Sequence, residues 1–544
     1  MLFQDYLKDN IVVFDGAFGT MLQKKTTDIG TRPERLNLEK PEIVASIYRA
    51  YANAGADVIS AATFGANAKK IGSYELSEKL IRAGVELAKK TCPDKFIALD
   101  LGPTGALLEP SGDTTFEEIY KVYAHAVNAG KHFADVILFE TMADLHELKA
   151  AVLAARENSD LPIIASMTFE QNMRTFMGVS VESFVISISP LVDAIGVNCS
   201  LGPNQLLPVV EKILSLTDKP IIVQANAGLP DSSNNYAVTP ENFAEYAKKF
   251  VNLGARIIGG CCGTTPDYIK LLRNIADEKG VLLRKVQPYS AVSTARKAVF
   301  IEGVCAVGEN INPTNKAEMQ NALINEDFDY FTDLAFDMAD GGAQILDVNC
   351  ACAGVDETKI LPKLIKHLQA ISPLPLMIDS TNHEAIENAL RVYCGKAIIN
   401  STSAKAEDMQ KIFLLAKKYG AAVVAMTIDE NGLPKTKENR IEIAKKIIDT
   451  AKEYEIPESD IFIDCVAYST AVYPDELQET LSAITEIKEK FGVKTVLGIS
   501  NFSFGLPDRQ NKNAEFLKLA IDAGLDLPIV DVCQSEIAKI LEDI

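Results

Sequence analysis

Short apolar runs alternate with longer amphipathic segments along the whole chain, and the alternation completes a count of eight twice. This constrains the fold more than any other feature. Parallel strands buried on both faces read as unbroken apolar runs, and each needs a helical crossover to reach the next. In the first half the runs lie at 11–14, 57–61, 96–100, 135–139, 162–167, 193–197, 220–224 and 256–260. Helical patterns fill the gaps, as at 41–55, which has Pro at its start and Gly at its end. Eight such units in about 285 residues fit a (β/α)8 barrel. Residues 286–297 are polar and Pro-bearing and read as a linker. The count then restarts at 304–308, 343–347, 375–379, 396–400, 422–426, 461–464, 494–498 and 528–531. The expected architecture is α/β, two tandem (β/α)8 barrels over 1–285 and 298–544.

In such barrels the chemistry sits at the carboxyl ends of the strands. The eighth run ends in Gly259-Gly-Cys-Cys-Gly263 and the sixth in Asn198-Cys199. Adjacent cysteines close a disulfide poorly, whereas three thiolates at strand ends suit a zinc ion with one open position. Cys199, Cys261 and Cys262 are the expected ligands. The second half ends its strands differently, with Glu309-Asn310, Asp347, Asn349, Asp379, Asn400, Asp464 and Asn501. Alternating carboxylates and amides make a hydrogen-bonding cage for a nitrogen-rich heterocycle.

A net charge of −20 without a basic run argues against a nucleic-acid partner. No apolar stretch approaches the roughly 20 residues needed to span a bilayer, and the first ten residues lack a signal-peptide pattern. A cytoplasmic location is expected, with the ten cysteines as reduced thiols.

Phe14-Asp-Gly-Ala-Phe-Gly-Thr20, Gly196-Val-Asn-Cys199, Ala225-Asn-Ala-Gly-Leu-Pro230 and Gly259-Gly-Cys-Cys-Gly-Thr-Thr-Pro266 resemble the homocysteine S-methyltransferase family. Gly308-Glu-Asn-Ile-Asn-Pro-Thr314, Leu346-Asp-Val-Asn349, Ile399-Asn-Ser401 and Gly498-Ile-Ser-Asn501 are similar to the pterin-binding domain of methyltetrahydrofolate–corrinoid methyltransferases. In this order the two resemble the N-terminal half of the cobalamin-dependent methionine synthase family. The resemblance implies methyl transfer from 5-methyltetrahydrofolate, through cobalamin, to zinc-activated homocysteine. It implies Asp15, Gly16, Gly19, Glu140 and Asn226 around the amino-acid end of homocysteine. Glu309, Asp347, Asp379, Asn400, Asp464 and Asn501 would bind the pterin, with Asn501 and Asp464 closest to the chemistry. The corrinoid motif Asp-x-His-x-x-Gly is missing, so cobalamin is expected on a separate domain or protein. Asn310 stands where the family usually has Arg, and Cys465 where it often has Pro. The rival readings are a corrinoid-independent methyltransferase, one acting on a different thiol, and a zinc- and folate-binding protein without turnover.

Overall fold

The computed structural model describes residues 1–27, 29–230, 236–469, 471–473 and 476–543. The chain divides into two compact units, Met1–Val286 and Gln287–Ile544. Among the described residues no helix is long and apolar enough to cross a membrane.

The first unit holds eight parallel strands: β1 (Val12–Val13), β2 (Val58–Ser60), β3 (Phe96–Leu101), β4 (Val136–Met142), β5 (Ile163–Met167), β6 (Ala194–Asn198), β7 (Ile221–Ala225) and β8 (Ile257–Gly260). They run in sequence order, with β8 returning to pair with β1. A bridge from Phe14 to Val58, and Asp57 N–H donating to the Val13 carbonyl at 2.7 Å, close the ring between β1 and β2. Helices alternate with the strands, and several of their starts carry side-chain caps. Thr115 and Glu118, for example, satisfy each other's backbone N–H in a capping box. The helix Phe3–Asp9 places Phe3 and Leu7 in one apolar cluster with Val12, Val58, Val136, Ala194 and Ile257. These lie at or near the amino ends of the strands, so this short helix stoppers the bottom of the barrel.

In the second unit the barrel strands are β11 (Val307–Ile311), β12 (Ile345–Asn349), β13 (Leu376–Asp379), β15 (Ile398–Thr402), β16 (Ala422–Met426), β17 (Ile461–Asp464), β18 (Lys494–Gly498) and β19 (Leu527–Val530), a closed ring. Each lies within three residues of an expected run. Three further strands were not expected: β9 (Ala291–Thr294), β10 (Ala298–Phe300) and β14 (Gly395–Lys396), which pair antiparallel in a small sheet. Residues 286–297, expected as a linker, therefore contain a strand. Val292 and Val299 are buried against Val307, Ile345, Met377 and Ile398, so the β9–β10 hairpin stoppers this barrel as the helix does the first. The Tyr393 hydroxyl anchors the hairpin, donating to the Ser293 carbonyl at 2.9 Å. Pro and Ser around a four-residue apolar alternation hid the strand from pattern reading.

Candidate active sites

In the first barrel β6 and β8 flank β7, and their ends are level: Asn198 pairs with Gln224, and Ala225 with Gly260. The next residues are the cysteines. Cys199 N–H donates to the Gln224 carbonyl at 3.0 Å, and Cys261 N–H to that of Ala225 at 2.8 Å. Cys199 and Ser200 adopt left-handed backbone angles, φ 61° and 55°, which turn the chain sharply as it leaves β6. After Cys262 the chain turns away through Gly263 at φ +84°, where a Cβ would lie 2.3 Å from the Tyr236 ring. A side chain at 263 would strain the backbone and displace the ring.

The three sulfurs lie within 4.8 Å of one another, with Cys199 and Cys262 at 3.9 Å. A tetrahedral zinc with Zn–S distances of about 2.3 Å separates its sulfurs by about 3.8 Å. The donor set therefore fits zinc. The electrostatics agree. Hydrogen bonds from Cys199 and Cys261 hold Cys262 down to about 3, while the same contacts drive Cys261 well above the ordinary thiol range. One thiol ionises at its neighbours' expense unless a cation neutralises all three.

All three cysteines line a cavity of about 320 Å³, together with Asp15, Gly16, Gly19, Asp100, Glu140, Gln224 and Glu34. Among the described residues no lysine, arginine or histidine is in its wall. Asp15 accepts from Ser60 N–H and Ser60 Oγ, each at 2.9 Å, and burial raises its carboxyl to about 7. Burial first, then Cys199 and Asp15, raise Glu140 to about 8. Asn198 positions the group. Its amide donates to Thr141 Oγ1 at 2.8 Å and to Glu140 Oε2 at 3.4 Å, and its carbonyl accepts from Ser166 Oγ at 2.7 Å. A Cβ on Gly16 would meet Thr264 Oγ1 at 2.8 Å, so glycine lets β1 pass close to the loop after β8. The expected Asp15, Gly16, Gly19 and Glu140 thus meet at the cysteines. Asn226 is buried outside this cavity's lining, and Gln224, two residues earlier, lines it instead. Sequence reasoning also missed Asp100, although a carboxylate closing the third apolar run was a visible signal.

In the second barrel Asn349, Asp379 and Asn400 lie side by side in register across β12, β13 and β15. Asn400 Nδ2 donates to Asp347 at 3.1 Å, and Asn349 Nδ2 to Asp379 at 2.9 Å. Ser500 Oγ donates to Glu309 at 3.1 Å, tying β11 to the turn Ile499–Asn501, whose last residue is exposed. Asp464 ends β17 and accepts from Val466 N–H at 2.7 Å. The departures have structural partners: Asn310 Nδ2 donates to Asp531 at 2.8 Å, and the buried Cys465 offers its carbonyl to Arg440 Nε at 2.9 Å. Arg440, fully buried, also pairs with Glu476 at 2.9 Å.

Burial raises Glu309 to about 7 and Asp464 to about 6, and raises Asp347 further with help from Asp379. The folded chain therefore holds protons that an unfolded carboxyl releases near pH 4. The associated stability is complete below that pH and is lost as pH rises through 6 to 7, on the order of 3 kcal/mol per group. Glu309→Gln is expected to flatten the fall in melting temperature between pH 5 and 8, as read by scanning calorimetry.

Residues 12–276 match the family model described as homocysteine S-methyltransferase, and residues 308–531 match the one described as pterin binding enzyme. A methionine synthase of Mycobacterium leprae is 32% identical over 96% of this chain and 47% of its own length. That of Mycobacterium tuberculosis is 32% identical over 97% of the chain and 48% of its length. The chain thus spans about half the length of these curated relatives. The solved homocysteine methyltransferase MmuM from Escherichia coli, in its oxidized form, is 23% identical over 48% of this chain and 95% of its own, with a TM-score of 0.44.

Proposed function

We propose, from the match of residues 12–276 to the homocysteine S-methyltransferase model and of residues 308–531 to the pterin binding enzyme model, that the chain is a methyltransferase of the methionine synthase type. It moves a methyl group from 5-methyltetrahydrofolate to homocysteine, giving tetrahydrofolate and methionine, with a cobalamin on a separate domain or protein as the carrier. The observation that carries the reading is the clustering of Cys199, Cys261 and Cys262 on an acidic cavity without a basic side chain.

Zinc, held by these cysteines, would take the substrate sulfur in its open position and keep it a thiolate at neutral pH, with the net negative charge of three thiolates sustaining its nucleophilicity. Glu140 and Asp15 wall the side of the cavity that would face the substrate ammonium. Gly16 and Gly19 lie at the start of the helix Phe18–Lys25, whose backbone N–H groups suit the substrate carboxylate. Asn198 fixes Glu140 and Thr141 relative to the cysteines. Asn226 is kept as a contact only in so far as substrate binding draws its unpaired Oδ1 towards the site.

In the second unit Asp347, Asp379 and Asn400 form the hydrogen-bonding edge for the pterin, with Glu309 across from them. A tertiary amine gives up a methyl group only when its nitrogen is protonated. Asp464 and Asn501 would stabilise the cation that develops there, by charge and by hydrogen bonding respectively. The reading places the protein in the cytoplasm.

The test separates the two half-reactions. The purified, zinc-loaded chain should demethylate free methylcobalamin with homocysteine and, independently, methylate cob(I)alamin from methyltetrahydrofolate. Loss of the first alone would move the thiol assignment elsewhere. Absence of both in a folded, metal-loaded protein would leave a binding protein without turnover.

A further inference from the structure

Four carboxylates line the cavity beside the cysteines; three of them, Asp15, Asp100 and Glu140, stand at or near the carboxyl ends of β1, β3 and β4, and these three are not equivalent. Both oxygens of Asp15 are occupied by Ser60. Glu140 accepts from the Asn198 amide. Asp100, at the end of β3, is 94% buried (6% exposed), lines the same cavity, and its Oδ1 has no hydrogen-bond partner. Such an oxygen costs free energy in the empty protein, and more so between two other carboxylates. With no basic side chain in the wall, its partner must arrive with the ligand.

We infer that Asp100 is the residue that selects a thiol carrying an ammonium group, by accepting a charge-assisted hydrogen bond from the substrate nitrogen on its free Oδ1. The inference rests on the proposed thiol-binding role of this barrel and goes beyond it. Asp15 becomes a positioning residue, held by Ser60, and Asp100 becomes the contact. The chemistry demanded is a short aliphatic thiol with a primary amine, the thiol reaching the cysteine cluster and the amine reaching β3.

The experiment uses the full chain loaded with cobalt(II), in which thiol binding alters the sulfur-to-metal charge-transfer absorption. Homocysteine is compared with mercaptobutyrate, the same thiol without its amino group. Asp100→Asn is expected to weaken homocysteine by about 30-fold or more and to change mercaptobutyrate by less than about threefold. The metal-free variant should melt no lower than the parent, because asparagine is isosteric and replaces a buried carboxyl crowded by Glu140 and Asp15. Equal weakening of both thiols with a lowered melting temperature would make Asp100 structural and overturn the inference. So would unchanged homocysteine affinity in a folded variant, and Asp100→Glu, which keeps the charge, guards against a loss caused by shape alone. If the parent protein binds metal but neither thiol, the thiol-binding reading itself fails, and the inference with it.

Discussion

Cys261→Ala is expected to lower methionine formation from methylcobalamin and homocysteine by at least about a thousandfold, with zinc content falling from one per chain to a trace. The three sulfurs sit within 4.8 Å of one another, so each supplies a third of the donor set and none is redundant. Two thiolates hold a zinc ion less tightly and leave it more electrophilic, so the bound sulfur is a poorer nucleophile. Cys261 is half-buried, backbone-bonded to Ala225 and accepting from Asn198 Nδ2 at 3.9 Å. The fold should survive, because β8 ends one residue earlier and Cys261 is only half-buried. Zinc by elemental analysis, together with initial rates, checks it. A variant that retains zinc and rate would remove the cysteine cluster from the chemistry.

The second large effect is expected at Asp464. Asp464→Asn should reduce transfer from methyltetrahydrofolate to free cob(I)alamin by about a hundred- to a thousandfold in kcat, with a smaller change in KM. A carboxylate facing a developing cation in a buried site acts on the transition state more than on the neutral ground state. The same substitution should stabilise the ligand-free protein above pH 6. Burial raises this carboxyl to about 6, so its ionised form carries a desolvation cost that asparagine does not. The group's stabilising share is present below pH 4 and lost above 6, so the variant's gain in melting temperature should appear on the alkaline side. Activity falling while stability rises separates a functional carboxylate from a structural one. Loss of both would assign Asp464 to holding the Val466 turn instead.

How much of this was legible follows from what each residue reports locally. The barrel strands were, because Ala-Ile-Gly-Val or Ile-Phe-Ile is apolar without break, and burial on both faces is the reason. The gathering of the three cysteines was, because Gly-Gly-Cys-Cys-Gly and Asn-Cys each follow such a run. The hairpin β9–β10 was not, because two strands of three or four residues owe their stability to the barrel floor they cover. That floor is assembled from residues up to more than 200 positions away. Asp100 was visible as a strand-end acid. What could not be read was the distinction between it and Asp15, which depends on Ser60 holding both oxygens of Asp15 while Asp100 Oδ1 is left without a partner. Gln224 lines the cavity in place of Asn226 because β7 ends at Ala225, and Asn226 belongs to the loop that leaves the strand.

The stoppered floors bear on the order of events. With the helix Phe3–Asp9 under one barrel and the β9–β10 hairpin under the other, the described residues close the floor of each room and leave its doorway at the carboxyl ends of the strands. Under the proposed function a methyl-delivering partner would meet the cysteines over that same threshold, so the small thiol would be seated before it arrives and the product would leave after it withdraws.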